Sequence, residues 1–301
     1  MKKIQGIIPP MITPMKDAAT LDVEGAKRVA DRMISAGVAG IFLLGTTGES
    51  QSLPVRLRYD FVKLMCGHIA GRVPVLVGVT ETSLEDSLAL AAHAKACGAC
   101  GVVAAAPYYF PANQKELIDW YTALADACPL PVYLYNMPSK VKVFLNVPTV
   151  VALSKHPNIV GVKDSSGNQS YFQSLLYHFA GTDFAVYMGP EEQAAAVILL
   201  GADGGVSGGA NLFPELFVKM YKAASTGDLA GTRKLQQRIM FLSDSLYGLE
   251  PGSDASFVKA IKCALKLKGI CSGYLPLPYT AFDEAQEKKV AEVLETLKDY
   301  R

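Results

Sequence analysis

Short apolar runs rich in β-branched residues recur along this chain, each followed by a stretch whose apolar positions fall at helical spacing. The runs are GIIPPMIT (6–13), AGIFLLG (39–45), PVLVGV (74–79), GVVAAAP (101–107), PVYLYN (131–136), IVGVK (159–163), FAVYMG (184–189) and DGGVS (203–207). Between them lie segments such as 83–97, with Leu84, Leu88, Leu90 and Ala91 on one apolar side. Pro54 suits a first helical turn, and Gly98 and Gly181 suit two helix ends. Eight strand-then-helix units predict an α/β fold, a (β/α)8 TIM barrel. The rival, a doubly wound open sheet, would usually carry a GxGxxG turn after an early strand, and that string is absent. After residue 226 the strand pattern stops. Three helical segments follow, near 228–247, 254–268 and 283–299, so the chain divides into a barrel over 1–225 and a C-terminal three-helix extension over 226–301 packed on it.

Composition agrees with a large soluble domain. The 301 residues are 50% hydrophobic and 19% charged, enough for a sizeable core. A net charge of +1 gives no electrostatic reason to expect nucleic acid or an anionic membrane as a partner. The first residues, MKKIQGIIPPMITP, make a poor signal peptide and a better first strand, and no apolar run approaches a membrane span. Six scattered cysteines suggest reduced thiols in a cytoplasm. The close pair Cys97 and Cys100 is a weak redox or metal signal beside its plainer reading as small residues packed at a helix-to-strand turn.

In a barrel, chemistry sits at the C-terminal ends of the strands. Those ends carry Thr46 and Thr47, Tyr108 and Tyr109, Tyr135 and Asn136, Lys163, and the run from Val206 and Ser207 to Asn211. An amine attacks a ketone only when neutral, and an interior held away from water disfavours the ammonium. Lys163 could therefore form an imine that draws electrons from the neighbouring carbon and lets a C–C bond break or form there. The alternative is a lysine reaching solvent past the strand end. Tyr135, on the neighbouring strand, could carry protons, or simply make a structural hydrogen bond. GTTGES (45–50) is a glycine-bounded turn whose N–H groups and hydroxyls could hold a carboxylate. GADGGVSGGAN (201–211) could bind phosphate or keep a loop small beside a ligand. His68, His93, His156 and His178 all fall in predicted helices or helix ends, so no metal is expected.

Taken in order, GTTGES, PYY (107–109), YNMP (135–138), GVKDSSG (161–167) and GGVSGGAN (204–211) resemble the dihydrodipicolinate synthase and N-acetylneuraminate lyase family over essentially the whole chain. The resemblance implies a lyase: a class I, pyruvate-dependent aldolase or synthase, a homotetramer built as a dimer of dimers, with no metal, no pyridoxal phosphate and no other cofactor. It implies that Lys163 forms the Schiff base with pyruvate or a 2-keto acid and that Tyr135 shuttles protons. Thr46 and Thr47 would hold the carboxylate, with Thr47 also counted in the catalytic relay. Tyr109 would complete a Tyr–Thr–Tyr relay across a dimer interface, and Val206 and Ser207 would line the pyruvate site. Synthases of the family usually carry an arginine where this chain has Lys140, and lysine keeps the charge but loses the planar fork that clamps a carboxylate. GVKDSSG also departs from the GIKEATG common in synthases, and PVRLR (54–58) replaces the polar residues of the lysine effector pocket. Cleavage of a 2-keto-3-deoxy sugar acid or similar hydroxylated keto acid is therefore the expectation. Condensation of pyruvate with aspartate semialdehyde and sialic acid cleavage are the alternatives, and a pyridoxal phosphate enzyme or a silent keto-acid binder are readings of other classes.

Overall fold

The computed structural model describes residues 3–300. Its strands are β1 (Gly6–Ile7), a small hairpin of β2 (Met15–Asp17) and β3 (Thr20–Leu21), β4 (Ile41–Leu43), β5 (Val75–Gly78), β6 (Gly101–Ala105), β7 (Val132–Asn136), β8 (Ile159–Asp164), β9 (Ala185–Met188) and β10 (Gly204–Gly205). Eight of them form one parallel sheet in the order β1-β10-β9-β8-β7-β6-β5-β4. The two ends of that sheet meet where Pro10 bridges Phe42, with Phe42 N–H donating to Pro9 O at 2.9 Å and Met11 N–H to Phe42 O at 2.8 Å. That closes the (β/α)8 barrel. β1 is shorter than the predicted run 6–13 because Pro9 and Pro10 have no N–H to give a ladder.

Helices alternate with the strands: α1 (Val23–Ser35), α2 (Val55–Ile69), α3 (Leu84–Ala96), α4 (Gln114–Ala127), the short α5 (Pro138–Val141) and α6 (Val147–Leu153), α7 (Gln169–Phe179), α8 (Glu191–Leu199) and α9 (Pro214–Ser225). Their starts follow from side chains that satisfy free N–H groups. Asp22 accepts from Gly25 N–H, Ser83 from Asp86 N–H, and Asn113 with Glu116 forms a reciprocal box; each such cap contributes about 1 kcal/mol. α1 buries Gly25, Ala26, Val29, Ala30 and Met33, the one-face spacing that docks it on the sheet. Beyond the barrel, α10 (Leu229–Leu246) packs on α8 and α9, and α12 (Glu284–Thr296) packs on α10 and on α11 (Ser256–Leu267). Among the described residues, no helix is long and apolar enough to cross a membrane.

One side chain from each strand, or from the residue just after it, points to the barrel axis: Ile8, Phe42, Leu76, Val103, Tyr133, Lys163, Tyr187 and Val206 ring a void of about 10 Å³. Lys163 is the one charged member of that ring. The seven others are what a packed barrel interior calls for, each burial contributing on the order of 2 kcal/mol.

Candidate active site

Lys163 is the fifth residue of β8, and register places it beside Tyr135 of β7 and Tyr187 of β9. In a parallel ladder such neighbours share a face, so all three side chains turn inward. Lys163 is 6% exposed, and its Nζ stands 4.0 Å from the centroid of the Tyr135 ring and 5.3 Å from that of Phe42. Above it opens a cavity of about 350 Å³ lined by Thr46, Glu49, Tyr108, Tyr135, Lys140 and Asp254, among others. Phe42 borders both this mouth and the small void beneath it, and Tyr135 borders the mouth, so the amine lies at the floor under two rings.

Burial alone would raise the Tyr135 phenol. The Lys163 ammonium beside it, helped by hydrogen bonds with Thr46, Ser165 and Lys163, outweighs that and brings it below its ordinary value. Thr46 Oγ1 lies 3.3 Å from Tyr135 Oη. Behind Lys163, Asp164 turns to the opposite side of the strand, fully buried. Burial raises its carboxyl even though it accepts from Asn136 Nδ2 at 2.8 Å and from Ser166 N–H and Oγ at 3.0 Å. Asn136 in turn accepts from Leu145 N–H, so a polar network outside the barrel fixes the ends of β7 and β8.

The turn 45–50 is preceded by Leu44 at φ 57° and contains Glu49 at φ 55°, two non-glycine residues in the left-handed region, each costing roughly 1–2 kcal/mol. Gly48 admits no side chain, because a Cβ there would stand 2.9 Å from Met11 O. Thr13 Oγ1 donates to Gly48 O at 2.8 Å. Glu49 is 7% exposed and in ion-pair contact through Oε2 with Lys262 of α11, which is wholly buried. Burial raises the Glu49 carboxyl, and Lys262 offsets part of that.

Sequence reasoning placed Lys163, Tyr135, Thr46 and Val206 at one rim, and the structure brings these four together. Three other candidates sit differently. The threonine that meets Tyr135 is Thr46, not Thr47, whose hydroxyl lies beside Gly208, 3.7 Å from where a Cβ on that glycine would sit. Ser207 does not face the site. Alternation after β10 turns Val206 inward, whereas Ser207 Oγ packs near Gly205, buried and with no hydrogen-bond partner among the described residues. Lys140 lines the mouth, yet its amine is bound to Asp254 at 2.5 Å, so its charge is already matched. Tyr109 stands apart from Tyr135, 81% exposed at φ 81°, edge-on to Phe110. Sequence reasoning missed Glu49, Lys262, Asp254 and Ser165. Only Glu49 and Ser165 had a local signal, inside the quoted motifs.

A model of the dihydrodipicolinate synthetase family matches residues 3–297. The chain is 36% identical to a probable 2-dehydro-3-deoxy-D-pentonate aldolase of Escherichia coli K12, covering 96% of both chains. It is likewise 36% identical to a 4-hydroxy-tetrahydrodipicolinate synthase of Hyphomonas neptunium, covering 95% of each. Among solved structures, the fold matches a dihydrodipicolinate synthase of Bacteroides thetaiotaomicron with a TM-score of 0.95 and 44% identity, over 99% of this chain and 100% of that one. It also matches an E. coli K12 prophage protein of the dihydrodipicolinic acid synthase family, solved in complex with pyruvate, with a TM-score of 0.91 and 32% identity over 98% of each chain.

Proposed function

This chain belongs to the dihydrodipicolinate synthetase family, a family of lyases, and we propose that it is a Schiff-base aldolase cleaving a hydroxylated 2-keto-3-deoxy acid to pyruvate and an aldehyde. One observation carries the reading: the Lys163 amine lies 4.0 Å from the ring of Tyr135, whose hydroxyl meets Thr46 of the carboxylate-sized turn.

The chemistry follows from that arrangement. The substrate carboxylate settles on the turn 45–50, and a rotamer change along the flexible lysine stem brings Nζ to the keto carbon at C2. Addition gives a carbinolamine, which loses water as Tyr135 delivers a proton to the departing hydroxyl, leaving an iminium. The Tyr135 phenolate takes the proton of the C4 hydroxyl. The C3–C4 bond breaks, its electron pair passing into the iminium to give an enamine, and the aldehyde departs. Protonation at C3 and addition of water release pyruvate and return the amine. No step requires a metal or an organic cofactor.

The charge pattern at the mouth supports a neutral aldehyde. Its charged lining residues are Lys140, Asp254 and Glu49; the first two pair with each other, and Glu49 pairs with Lys262. No cation among the described lining residues is left for a second carboxylate. Ser50, Ser52, Thr80, Tyr108 and Tyr279 offer hydroxyls instead, and Ser165 reaches Tyr135. The likeness to the Bacteroides thetaiotaomicron synthase favours a second reading, condensation of pyruvate with aspartate semialdehyde.

Exposed Tyr109 and Phe110 support a contact through which Tyr109 reaches a second subunit, within a homotetramer. Six cysteines without a disulfide support a cytoplasmic setting. A screen for pyruvate released from 2-keto-3-deoxy acids, run beside the condensation assay, tests the reading. Faster turnover in the cleavage arm is expected; turnover in the condensation arm alone would overturn it.

A further inference from the structure

We propose that Lys262, on the C-terminal extension, is a positioning residue for keto-acid binding: by pairing with Glu49 it keeps a buried negative charge away from the place where the substrate carboxylate settles. The inference rests on the proposed role of the turn 45–50 as the carboxylate cradle.

Glu49 belongs to that turn, lines the mouth, and donates its N–H to Thr46 O at 3.0 Å. Neither of its carboxylate oxygens has an aligned hydrogen bond among the described residues, and the one contact that balances its charge is Lys262. Lys262 is anchored from the far side, its Nζ donating to Tyr274 O at 2.9 Å. The same helix touches the other turn of the rim. A Cβ on Gly208 would lie 3.3 Å from Phe257, 3.7 Å from Thr47 Oγ1 and 3.8 Å from Ile261. The extension thus presses on the seam between the two turns and supplies the cation that meets Glu49. Lys140, also at the mouth, pairs with Asp254 and not with Glu49.

A carboxylate left unpaired here would turn toward the water of the mouth and repel an incoming keto-acid anion through a poorly screened interior. A pair that merely braces the fold would weaken binding whichever partner was lost. A pair that controls charge has opposite effects at its two ends.

The test is the pyruvate concentration that gives half-maximal borohydride-trapped adduct in wild type, Lys262→Met, Glu49→Gln and the double variant. Lys262→Met is expected to raise it roughly tenfold or more. Glu49→Gln, which removes the negative charge and leaves the Lys262 ammonium, should lower it, and the double variant should return to within about threefold of wild type. A tenfold rise in Glu49→Gln, or a double variant as weak as Lys262→Met, overturns the inference. So does an unchanged value in Lys262→Met. If Lys262→Met does not fold, Glu49→Gln and the double variant decide by the same criteria. Absence of any adduct in wild type would instead strike the proposed imine chemistry, not this inference alone.

Discussion

Tyr135 and Lys163 are register partners on adjacent parallel strands, and the lysine amine lies 4.0 Å from the tyrosine ring centroid. Backbone pairing alone sets this relationship, so the proposed nucleophile and proton carrier are held together before any substrate arrives. Tyr135→Phe keeps the ring and removes the proton. Steady-state turnover should fall about 10²–10⁴-fold, while reducible pyruvate adduct still forms at a slower rate. Turnover within a few-fold of wild type would remove Tyr135 from the mechanism.

Thr46 and Thr47 are separable. Thr46→Val cuts the contact with Tyr135 Oη, a bond to a group that ionises in the proposed mechanism, and should cost about 1.5–3 kcal/mol, ten- to a hundredfold in kcat. Thr47→Val leaves that contact in place and should act mainly on KM. Measured kcat values in the reverse order would return the relay to Thr47.

Much of this site was readable before the structure, and the failures share a cause. Strand ends are marked locally, by β-branched runs that stop, so the rim positions of Lys163, Tyr135 and Thr46 followed from pattern alone. Side-chain direction is marked only where apolar and polar residues alternate. β10 is two glycines, which carry no such signal, so the direction of Ser207 is not marked in the sequence. In the turn 45–50, direction is set by the left-handed backbone at Leu44 and Glu49, which no residue type announces. The partners of Lys140 and Glu49, Asp254 and Lys262, sit in the C-terminal extension, far along the chain. Periodicity describes neighbours in sequence and is silent on such pairs.

Asp254 matches the charge of Lys140 at the mouth. Its carboxyl is held below the ordinary range by its hydrogen bond to Lys140. Asp254→Asn frees the Lys140 ammonium for a substrate carboxylate. Competition assays should show the ratio of kcat/KM shifting toward aspartate semialdehyde and away from neutral aldehydes. A ratio that does not move would mean the pair has no part in selectivity.

Glu191 makes stability fall with rising pH. It opens α8, accepts from Tyr247 Oη at 2.6 Å and Gly209 N–H at 2.8 Å, and burial pushes its carboxyl up to about 7 from an ordinary 4.5. The folded protein therefore binds this proton more tightly than the unfolded chain does. Its contribution is complete below about pH 4.5 and is lost as pH rises through about 7, in all roughly 3 kcal/mol. Unfolding curves of wild type and Glu191→Gln across that window should diverge in favour of the variant as pH rises. A constant gap would show that Glu191 does not titrate there.

The central claim is that the Lys163 amine bonds covalently to the keto carbon. Borohydride reduction in the presence of pyruvate, followed by peptide mass mapping, tests it directly. The account predicts one reduced pyruvate on the peptide bearing Lys163, and none in a folded Lys163→Ala protein that has also lost turnover. Label on another lysine, or full activity without Lys163, would contradict it.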